Sequence, residues 1–501
     1  MDFFYNVLNG FQITFQPTNI LYCFIGVFIG TLIGVLPGIG PSGTISILLP
    51  ATFSLSPVSS IILLAGIYYG AMYGGSTTSI LVNVPGEAAS VVTCLDGYQM
   101  ARQGRAGPAL GIAAFGSFIA GTFSVIVLMF VSVPLAKFAL VFGPPEYTSL
   151  IVLGITILAY LAQKSLVKAL MIASFGFLLS FVGLDTITGK ARYTFGIPDL
   201  MDGVGVLPVV MGLFGVAEVL QNLDIPEGIS VFKTRLGNLL PNRKDWKDSW
   251  KPITRGSILG FIIGIIPGGS AVLASFVSYA TEKRCSKHPE RFGRGAIEGV
   301  AGPESANNSA FGGGLVPLFG LGIPSSVVTA LLFAALMIHG VQPGPFLISE
   351  HPEVFWGLVA SMYLGNILLL IINLPLIGLW VKVLKIPQWL LLPLILLFCI
   401  IGAYAINNSL FDVGVMMLFG IIGYLMNKFG YEAAPLALAF VLGPIFEKSM
   451  RQSLRLSGGD FSIFITRPLS AALLVMAGLV LLSYFFFKKQ RGVLEGGGEA
   501  V

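Results

Sequence analysis

Two glycine- and proline-rich segments, residues 36–44 (LPGIGPSGT) and 266–275 (IPGGSAVLAS), hold residue types that could bind an anion. In each, a Pro–Gly pair ends one helix and hydroxyl side chains stand near the start of the next. A helix that begins at such a break presents free backbone N–H groups and the positive end of its dipole, which attract anions. One such turn could merely kink a packed helix, but two in matched positions favour binding. The predicted substrate-binding residues here are Pro37, Gly38, Gly40, Ser42, Gly43, Thr44, Pro267, Gly268, Gly269 and Ser270.

A run of hydroxyl side chains (GGSTTS) and a further Pro–Ser break extend this set. Hydroxyls stacked in an apolar region are available to a polar substrate, although Ser and Thr also satisfy backbone carbonyls at helix interfaces. The added substrate-binding residues are Ser76, Thr77, Thr78, Pro324 and Ser325.

Polar residues at membrane depth could hold a cation. In residues 304–314 (ESANNSAFGGG), Glu304 and Asn308 are four apart and share one helix face. Such groups are costly in lipid and usually face a site or a water-filled cavity, where they could ligate Na⁺ together with exposed backbone carbonyls. The alternative is an interhelical hydrogen-bond network or a position near the cytoplasmic interface. The predicted cation-binding residues are Asn83, Gly86, Glu304, Asn307 and Asn308.

The composition requires a bilayer around these segments. Of the 501 residues, 55% are hydrophobic and only 11% are charged, whereas a soluble chain has about 25% charged residues. The 62 Gly and 29 Pro lie inside apolar stretches, which is not the pattern of a disordered linker. The net charge of +5 is spread over loops and does not suggest nucleic-acid binding. The four Cys and three His are scattered, which argues against a metal site.

We predict an all-α polytopic membrane protein with about 12 membrane segments, including re-entrant hairpins. A basic cytoplasmic segment divides the chain near its middle, and the number of crossings in residues 430–467 stays open. The predicted organisation is a first transmembrane half over residues 1–222, a connecting segment over 223–255, a second transmembrane half over 256–487 and a disordered tail over 488–501.

The two halves resemble each other. Residues 30–38 (GTLIGVLPG) match residues 260–268 (GFIIGIIPG). Residues 73–93 match residues 311–329 with a two-residue gap, from an aromatic–Gly–Gly start to a shared SVVT ending. Two matches in the same order indicate a duplication.

Loop charges predict that the two repeats are inverted. The loop at 96–107 has two Arg and one Asp, which favours the cytoplasm, whereas the loop at 339–353 has two Glu and no Lys or Arg. Equivalent points would then face opposite sides of the membrane. Basic loops on both sides of residues 257–280 predict a re-entrant hairpin that turns near Pro267, and by symmetry residues 30–50 form another. The alternative is one full crossing with an external basic loop.

Three segments resemble a known family: residues 34–50 (GVLPGIGPSGTISILLP), 73–107 (YGGSTTSILVNVPGEAASVVTCLDGYQMARQGRAG) and 302–332 (GPESANNSAFGGGLVPLFGLGIPSSVVTALL). They are similar to the large membrane subunit, TctA, of the bacterial tripartite tricarboxylate transporters, and the resemblance covers essentially residues 1–490. It implies a cation-coupled secondary importer in the bacterial inner membrane. It further implies a small membrane partner subunit and a periplasmic solute-binding protein that delivers the substrate.

The resemblance implies import of a tricarboxylate such as citrate, or of a dicarboxylate, coupled to Na⁺ or H⁺. The chain has no HExxH, GxSxG or Walker A motif, so we do not expect an enzyme. No cofactor is expected beyond co-transported Na⁺. The alternatives are an anion channel and a non-translocating scaffold subunit.

Overall fold

The computed structural model describes residues 2–36, 40–161, 165–185, 187–223, 239–383 and 388–495. Up to residue 223 its elements are α1 (Asp2–Thr14), α2 (Pro17–Val35), α3 (Pro41–Leu48), α4 (Pro57–Val82), α5 (Val91–Arg102), α6 (Ala106–Ala139), α7 (Pro144–Leu161), α8 (Leu166–Ser180), β1 (Gly183–Leu184), β2 (Ala191–Arg192), α9 (Val206–Val210), a π-helical segment (Met211–Val216) and α10 (Ala217–Asn222). From residue 239 onward they are α11 (Arg243–Ile265), α12 (Ala271–Cys285), α13 (Glu298–Leu321), α14 (Val327–Ile338), α15 (Leu347–Glu350), α16 (Pro352–Asn373), α17 (Ile377–Val383), α18 (Gln388–Asn407), α19 (Leu410–Lys428), α20 (Ala433–Leu456), α21 (Ile463–Thr466) and α22 (Pro468–Glu495).

Long apolar helices dominate this architecture. Within the described ranges, six helices (α2, α4, α6, α16, α19 and α20) are long and apolar enough to cross a membrane, and further apolar helices are shorter. The two strands pair only with each other, in an antiparallel hairpin. The chain is therefore an all-α polytopic membrane protein, as predicted.

Some helix bounds differ from the predicted organisation. Helix α11 begins at Arg243, inside the stretch assigned to the connecting segment, and α22 continues to Glu495, inside the stretch assigned to the tail. Both stretches contain Lys, Arg and Leu, which favour helix. By its internal contacts the chain divides into two compact units, a larger one of residues 1–137, 205–265 and 269–425 and a smaller one of residues 138–204, 266–268 and 426–501.

Glycines let α2 and α4 of the larger unit approach until their backbones touch. Helix α2 carries glycines at every fourth position, and a methyl group added at any of them would collide with a backbone carbonyl of α4. Small residues at four-residue spacing allow such close helix pairs in membranes. The colliding pairs are Gly26 with Leu63, Gly30 with Ile67 and Gly34 with Ala71.

Helices α11 and α13 repeat this contact in the second half. A methyl group at the glycines of α11 would meet the carbonyls of α13 in the same order. Each of these α11 glycines lies 230 residues after its equivalent in α2, and each α13 residue that it would meet lies 239 residues after its equivalent in α4. The colliding pairs are Gly256 with Gly302, Gly260 with Ala306 and Gly264 with Ala310. The matched sequence segments therefore form matched helix pairs.

The breaks after α4 and α13 also correspond. Asn83 (φ 58°) and Gly322 (φ 71°) both end their helices in the left-handed conformation, which Gly and Asn tolerate. A proline follows two residues later in each half, and the side chains of Glu87 and Ser326 then cap the next helical turn. The structural correspondence between these breaks needs no gap, unlike the sequence comparison. The two SVVT segments, which the sequence comparison aligned, therefore lie at different structural positions in the two halves.

Helix–break–helix units lie where the re-entrant hairpins are predicted. Helices α11 and α12 contact each other on either side of the break that contains Gly269 and Ser270. In the first half α2 and α3 also touch, while Pro37 and Gly38 of the predicted turn lie outside the described residues. Helix α3 has 8 residues, so it extends about 12 Å, much less than the roughly 30 Å of a bilayer core. A hairpin fits this length better than a full crossing.

In the smaller unit, α20 packs against α7 and α8, and α22 packs against α7. Two acids and two arginines form a cluster between the loop after α8, which holds Asp185 and Arg192, and helix α20, which holds Glu447 and Arg451. Arg451 donates to both carboxylate oxygens of Asp185 at 2.9 Å, and Arg192 donates to Glu447 at 2.6 and 3.2 Å. The bidentate Arg451 guanidinium, with the backbone N–H of Ile187, holds the pKa of Asp185 well below its usual range.

We expect Asp185→Asn to lower the melting temperature at neutral pH, since it weakens the contact between the β1–β2 loop and α20. The folded-state pKa of Asp185 is below its unfolded value of about 3.9, so its stabilising effect is full above that pH and is lost as the pH falls through the folded-state pKa. The difference between wild type and variant should therefore shrink below about pH 4. Thermal melts from pH 3 to 7 measure it, with the exposed Asp199→Asn as control. A pH-independent difference contradicts this assignment.

Candidate functional site

Four chain breaks in the larger unit surround one cavity of about 430 Å³. Two of them, residues 40–42 and 85–88, belong to the first half of the chain, and two, residues 269–272 and 325–329, to the second half. The aromatic rings of Tyr68 and Phe311 complete the wall, with centroids 4.5 Å apart. Both repeats therefore contribute helix ends to a single binding space.

The first wall is the start of α3. Gly40 precedes this helix, and its backbone N–H donates to Glu218 Oε1 at 2.7 Å. Glu218 comes from α10 and also lines the cavity. The hydroxyl of Ser42 lies at the cavity wall, whereas Thr44 Oγ1 donates back to Gly40 O at 3.1 Å. The start of this helix thus presents polar groups to the cavity together with a carboxylate.

Capping hydroxyls form the second-half walls. Ser270 precedes α12 and accepts from the backbone N–H of Leu273 at 3.2 Å. Ser326 precedes α14 and forms a reciprocal capping box with Thr329, whose Oγ1 accepts from Ser326 N at 2.8 Å. These hydroxyls fix the helix starts at the cavity wall and leave lone pairs and rotatable O–H groups for hydrogen bonds.

Glu87 is the second carboxylate at the cavity. Its side chain is 7% exposed, and Oε2 accepts from the backbone N–H of Ala89 at 3.1 Å. The other oxygen, Oε1, has no hydrogen-bond partner among the residues that the structure describes. Glu87 thus combines a local capping role with one free acceptor at a buried wall.

The charged side chains that the structure describes at the cavity wall are acidic. The described residues that line the cavity include Glu87 and Glu218 but no Lys, Arg or His. An anionic ligand would therefore meet backbone N–H groups, hydroxyls and two carboxylates. Because a buried like charge is unfavourable, such a ligand needs a compensating cation or proton nearby.

A polar network lies beside this cavity, around the fully buried Glu304 of α13. Its Oε2 accepts from Ser76 Oγ at 2.5 Å and from Asn307 Nδ2 at 3.3 Å, and its Oε1 accepts from Thr93 Oγ1. Asn308 Nδ2 donates to the backbone carbonyl of Glu304 at 3.0 Å. The network joins α4, α5 and α13, so it connects the two repeats.

Comparison with known proteins shows the family to which this chain belongs. The model of the tripartite tricarboxylate transporter TctA family matches residues 20–438. The chain belongs to the TctA family. An uncharacterised 52.8 kDa protein of Agrobacterium vitis, from the TAR-I ttuC' 3' region, is 52% identical over 95% of both chains. Another uncharacterised A. vitis protein, from the TAR-II ttuC' 3' region, is 52% identical over 44% of this chain and 91% of its own. No solved structure matches.

The TctA chain brings only some of the predicted substrate residues to the cavity. Those at its wall are Gly40, Ser42, Gly269, Ser270 and Ser325. Those that do not line it are Gly43, Thr44, Ser76, Thr77, Thr78, Pro267, Gly268 and Pro324. Several have clear packing roles, since Thr78 Oγ1 donates to Val35 O at 2.7 Å and Gly268 (φ 83°) packs on Leu158.

The predicted cation-binding residues separate into two groups. Glu304, Asn307 and Asn308 lie together in the buried network. Asn83 is exposed at the end of α4, seven residues beyond Ser76, which is about 10 Å along a helix. Gly86 lines the cavity of about 430 Å³ and packs against the backbone of Gly34.

Sequence reasoning missed Glu218 as a site residue of this TctA chain. It stands 178 residues from Gly40 in sequence and lies beside no Gly–Pro break. The one usable signal was an acidic residue within the apolar region 204–222, because ionisable groups at membrane depth mark functional positions. Glu87 carried the same signal, next to the predicted break at Gly86.

Proposed function

We propose that this TctA-family chain is the substrate-translocating subunit of a secondary transporter that imports a small organic carboxylate, either a tricarboxylate such as citrate or a dicarboxylate. Import is coupled to Na⁺ or H⁺ across the bacterial inner membrane. A small membrane subunit accompanies the chain, and a periplasmic binding protein delivers the substrate. The observation that carries the proposal is the single cavity walled by helix breaks of both halves.

The size and chemistry of the cavity support a small anionic solute. Its volume of about 430 Å³ lies in the range of small-molecule sites, roughly 300–1,000 Å³. Helix starts at Gly40 and Ser270 supply dipoles, and the hydroxyls of Ser42 and Ser326 supply hydrogen bonds. These contacts hold an anion without a fixed positive charge, which favours release as well as binding.

The architecture supports a carrier more than a channel. Discontinuous helices from two repeats, meeting at one site, are the arrangement in which secondary transporters bind substrate near the membrane midplane. With the inverted orientation that loop charges predict, exchanging the conformations of the two halves would expose the same cavity to opposite sides. The acidic wall then makes a co-transported cation or proton part of substrate binding.

Uptake into proteoliposomes tests the proposal. Vesicles containing this chain and its membrane partner should take up a labelled carboxylate from loaded binding protein, with saturation, and faster under an inward Na⁺ or H⁺ gradient. Ser270→Ala and Ser326→Ala should each weaken uptake several-fold, since each removes one hydroxyl contact of about 1 kcal/mol. Flux that is linear in substrate and indifferent to every cation gradient would favour a channel, and no flux would favour a scaffold subunit.

A further inference from the structure

Glu304 is a buried carboxylate whose hydrogen-bond partners are all neutral. It is fully buried, and its donors are two hydroxyls and one amide, from Ser76, Thr93 and Asn307. The ion pairs among the described residues do not include it. Because an ionised carboxylate in a low-dielectric interior is costly without an opposite charge, Glu304 needs either a proton or a cation nearby.

A second, very small cavity adjoins the network. Its volume is about 10 Å³, close to the space that one water molecule needs, so it admits a small ion but no carboxylate substrate. Ser76 both donates to Glu304 and lines this space, which places the cavity one hydroxyl away from the carboxylate. The other polar lining residues are Tyr73, Thr77, Ser117 and Asn373.

The polar atoms at this cavity include unpartnered oxygens. Asn373 is 5% exposed and its Nδ2 donates to Leu369 O at 3.0 Å, while its Oδ1 has no partner in the described part of the chain. Asn308 is outside the cavity lining but donates to Ser117 Oγ at 2.8 Å, and its Oδ1 also has no partner among the residues that the structure describes. Amide oxygens accept hydrogen bonds or ligate metal ions but cannot donate. The hydroxyl of Tyr73 at the same cavity also has no partner among the described residues, and its oxygen can accept as well as donate. Several buried oxygens with free lone pairs, next to an acid, are the chemistry of an alkali-cation site.

We propose that this cavity binds a monovalent cation, Na⁺, with Asn373 Oδ1 and the hydroxyl oxygens of Ser76, Thr77 and Ser117 as ligands. Glu304 supplies the compensating charge through Ser76. One negative charge matches one positive charge, whereas a divalent ion would leave an unpaired charge in the interior. The inference rests on the proposed function, because it gives the coupling ion a location separate from the substrate cavity.

The site would connect elements that the substrate cavity does not. Ser76 lies on α4, Ser117 on α6 and Asn373 on α16, while Glu304 lies on α13. Helices α6 and α16 are outside the matched pairs α2–α4 and α11–α13. An ion bound here would therefore connect the two matched helix pairs to α6 and α16. Its binding would favour one arrangement of these helices.

Asn373→Ala, compared with Asn366→Ala, tests the site. Asn366 is a matched control, because it is also buried and unpartnered on α16 but lies two turns earlier and outside the cavity lining. The full chain, purified in detergent, is melted in rising NaCl at constant ionic strength kept with choline chloride. We expect saturable stabilisation by Na⁺ in wild type and Asn366→Ala, and an at least tenfold higher half-maximal Na⁺ concentration in Asn373→Ala.

Other outcomes overturn the inference. Equal stabilisation by Na⁺ and choline would show ionic screening only, and an unchanged Na⁺ midpoint in Asn373→Ala would place binding elsewhere. If Asn373→Ala does not fold, Asn373→Asp replaces it, since the added charge should lower the Na⁺ midpoint; an unchanged midpoint there also refutes the site.

Uptake assays separate this inference from the proposed function. Carboxylate uptake driven by a pH gradient, without specific Na⁺ stabilisation of the purified chain, would refute the cation site and leave the transporter intact. Specific Na⁺ stabilisation that Asn373→Ala abolishes, without uptake of any carboxylate tested, would refute the proposed transport and leave the cation site standing.

Discussion

Glu218→Gln is expected to lower the Kd for a dianionic carboxylate about tenfold. The Glu218 side chain lines the cavity and accepts a hydrogen bond from Gly40 N at 2.7 Å. The amide oxygen of Gln keeps this hydrogen bond while the negative charge is removed. Two like charges about 8 Å apart repel by about 2 kcal/mol at an effective dielectric constant of 20, so the loss of one charge should be measurable.

Isothermal titration calorimetry on the purified chain measures the effect at a fixed alkaline pH, at which Glu218 is ionised and the substrate has the same protonation state for every variant. Glu290→Gln is the control, because it removes one acidic charge from a side chain that is 66% exposed and outside the cavity lining. Its Kd should equal that of wild type. An unchanged or higher Kd for Glu218→Gln would show that the carboxylate does not face the bound anion, or that it assists binding.

The helix breaks were predictable because their signals are local. Single Pro or Gly residues also lie inside helices of this chain, but closely spaced Pro and Gly disfavour helix strongly, so residues 266–270 and 324–325 could be placed between helices from the sequence alone. The matched breaks also indicated which segments meet, and the structure brings four of them to one cavity. The sequence could not show which side of each break faces that cavity, since this depends on helix rotation.

Long-range contacts explain what the sequence left unpredicted. The hydrogen bond between Gly40 and Glu218 spans 178 residues, and that between Ser76 and Glu304 spans 228. Neither pair shares a local pattern, because each partner is chosen by tertiary packing. The polar run at Glu304 could be recognised as unusual in a membrane helix. Its hydrogen-bond network depends on residues of α4 and α5, and the adjoining space at Asn373 depends on α16, which carries no motif of its own.

The glycine spacing on α2 is visible in the sequence, where it indicates the repeat. The structure gives it a physical reason: at Gly30 a methyl group would meet the backbone of Ile67, and at Gly260 that of Ala306. A backbone carbonyl cannot rotate away as the end of a flexible side chain can. The close helix pairs therefore depend on these positions more than on any single polar contact.

We expect Gly30→Leu and Gly260→Leu each to destabilise the folded state strongly. Insertion of a bulky side chain between two backbones should destabilise by about 3 kcal/mol or more, roughly a hundredfold in the ratio of folded to unfolded protein. Size-exclusion chromatography of the detergent-solubilised chain should show loss of the monodisperse peak for both variants. Their similar behaviour would follow from their matched places in α2–α4 and α11–α13.

Gly414→Leu provides the control for this pair. Gly414 is an exposed glycine on the apolar helix α19, and nothing lies within 4 Å of a methyl group built there. The same substitution should leave the monodisperse peak and the melting temperature near those of wild type, since Leu favours helix over Gly by somewhat under 1 kcal/mol. A wild-type profile for Gly30→Leu would mean that α2 and α4 can separate without loss of the fold. The break residues that they position around the cavity would then need another support.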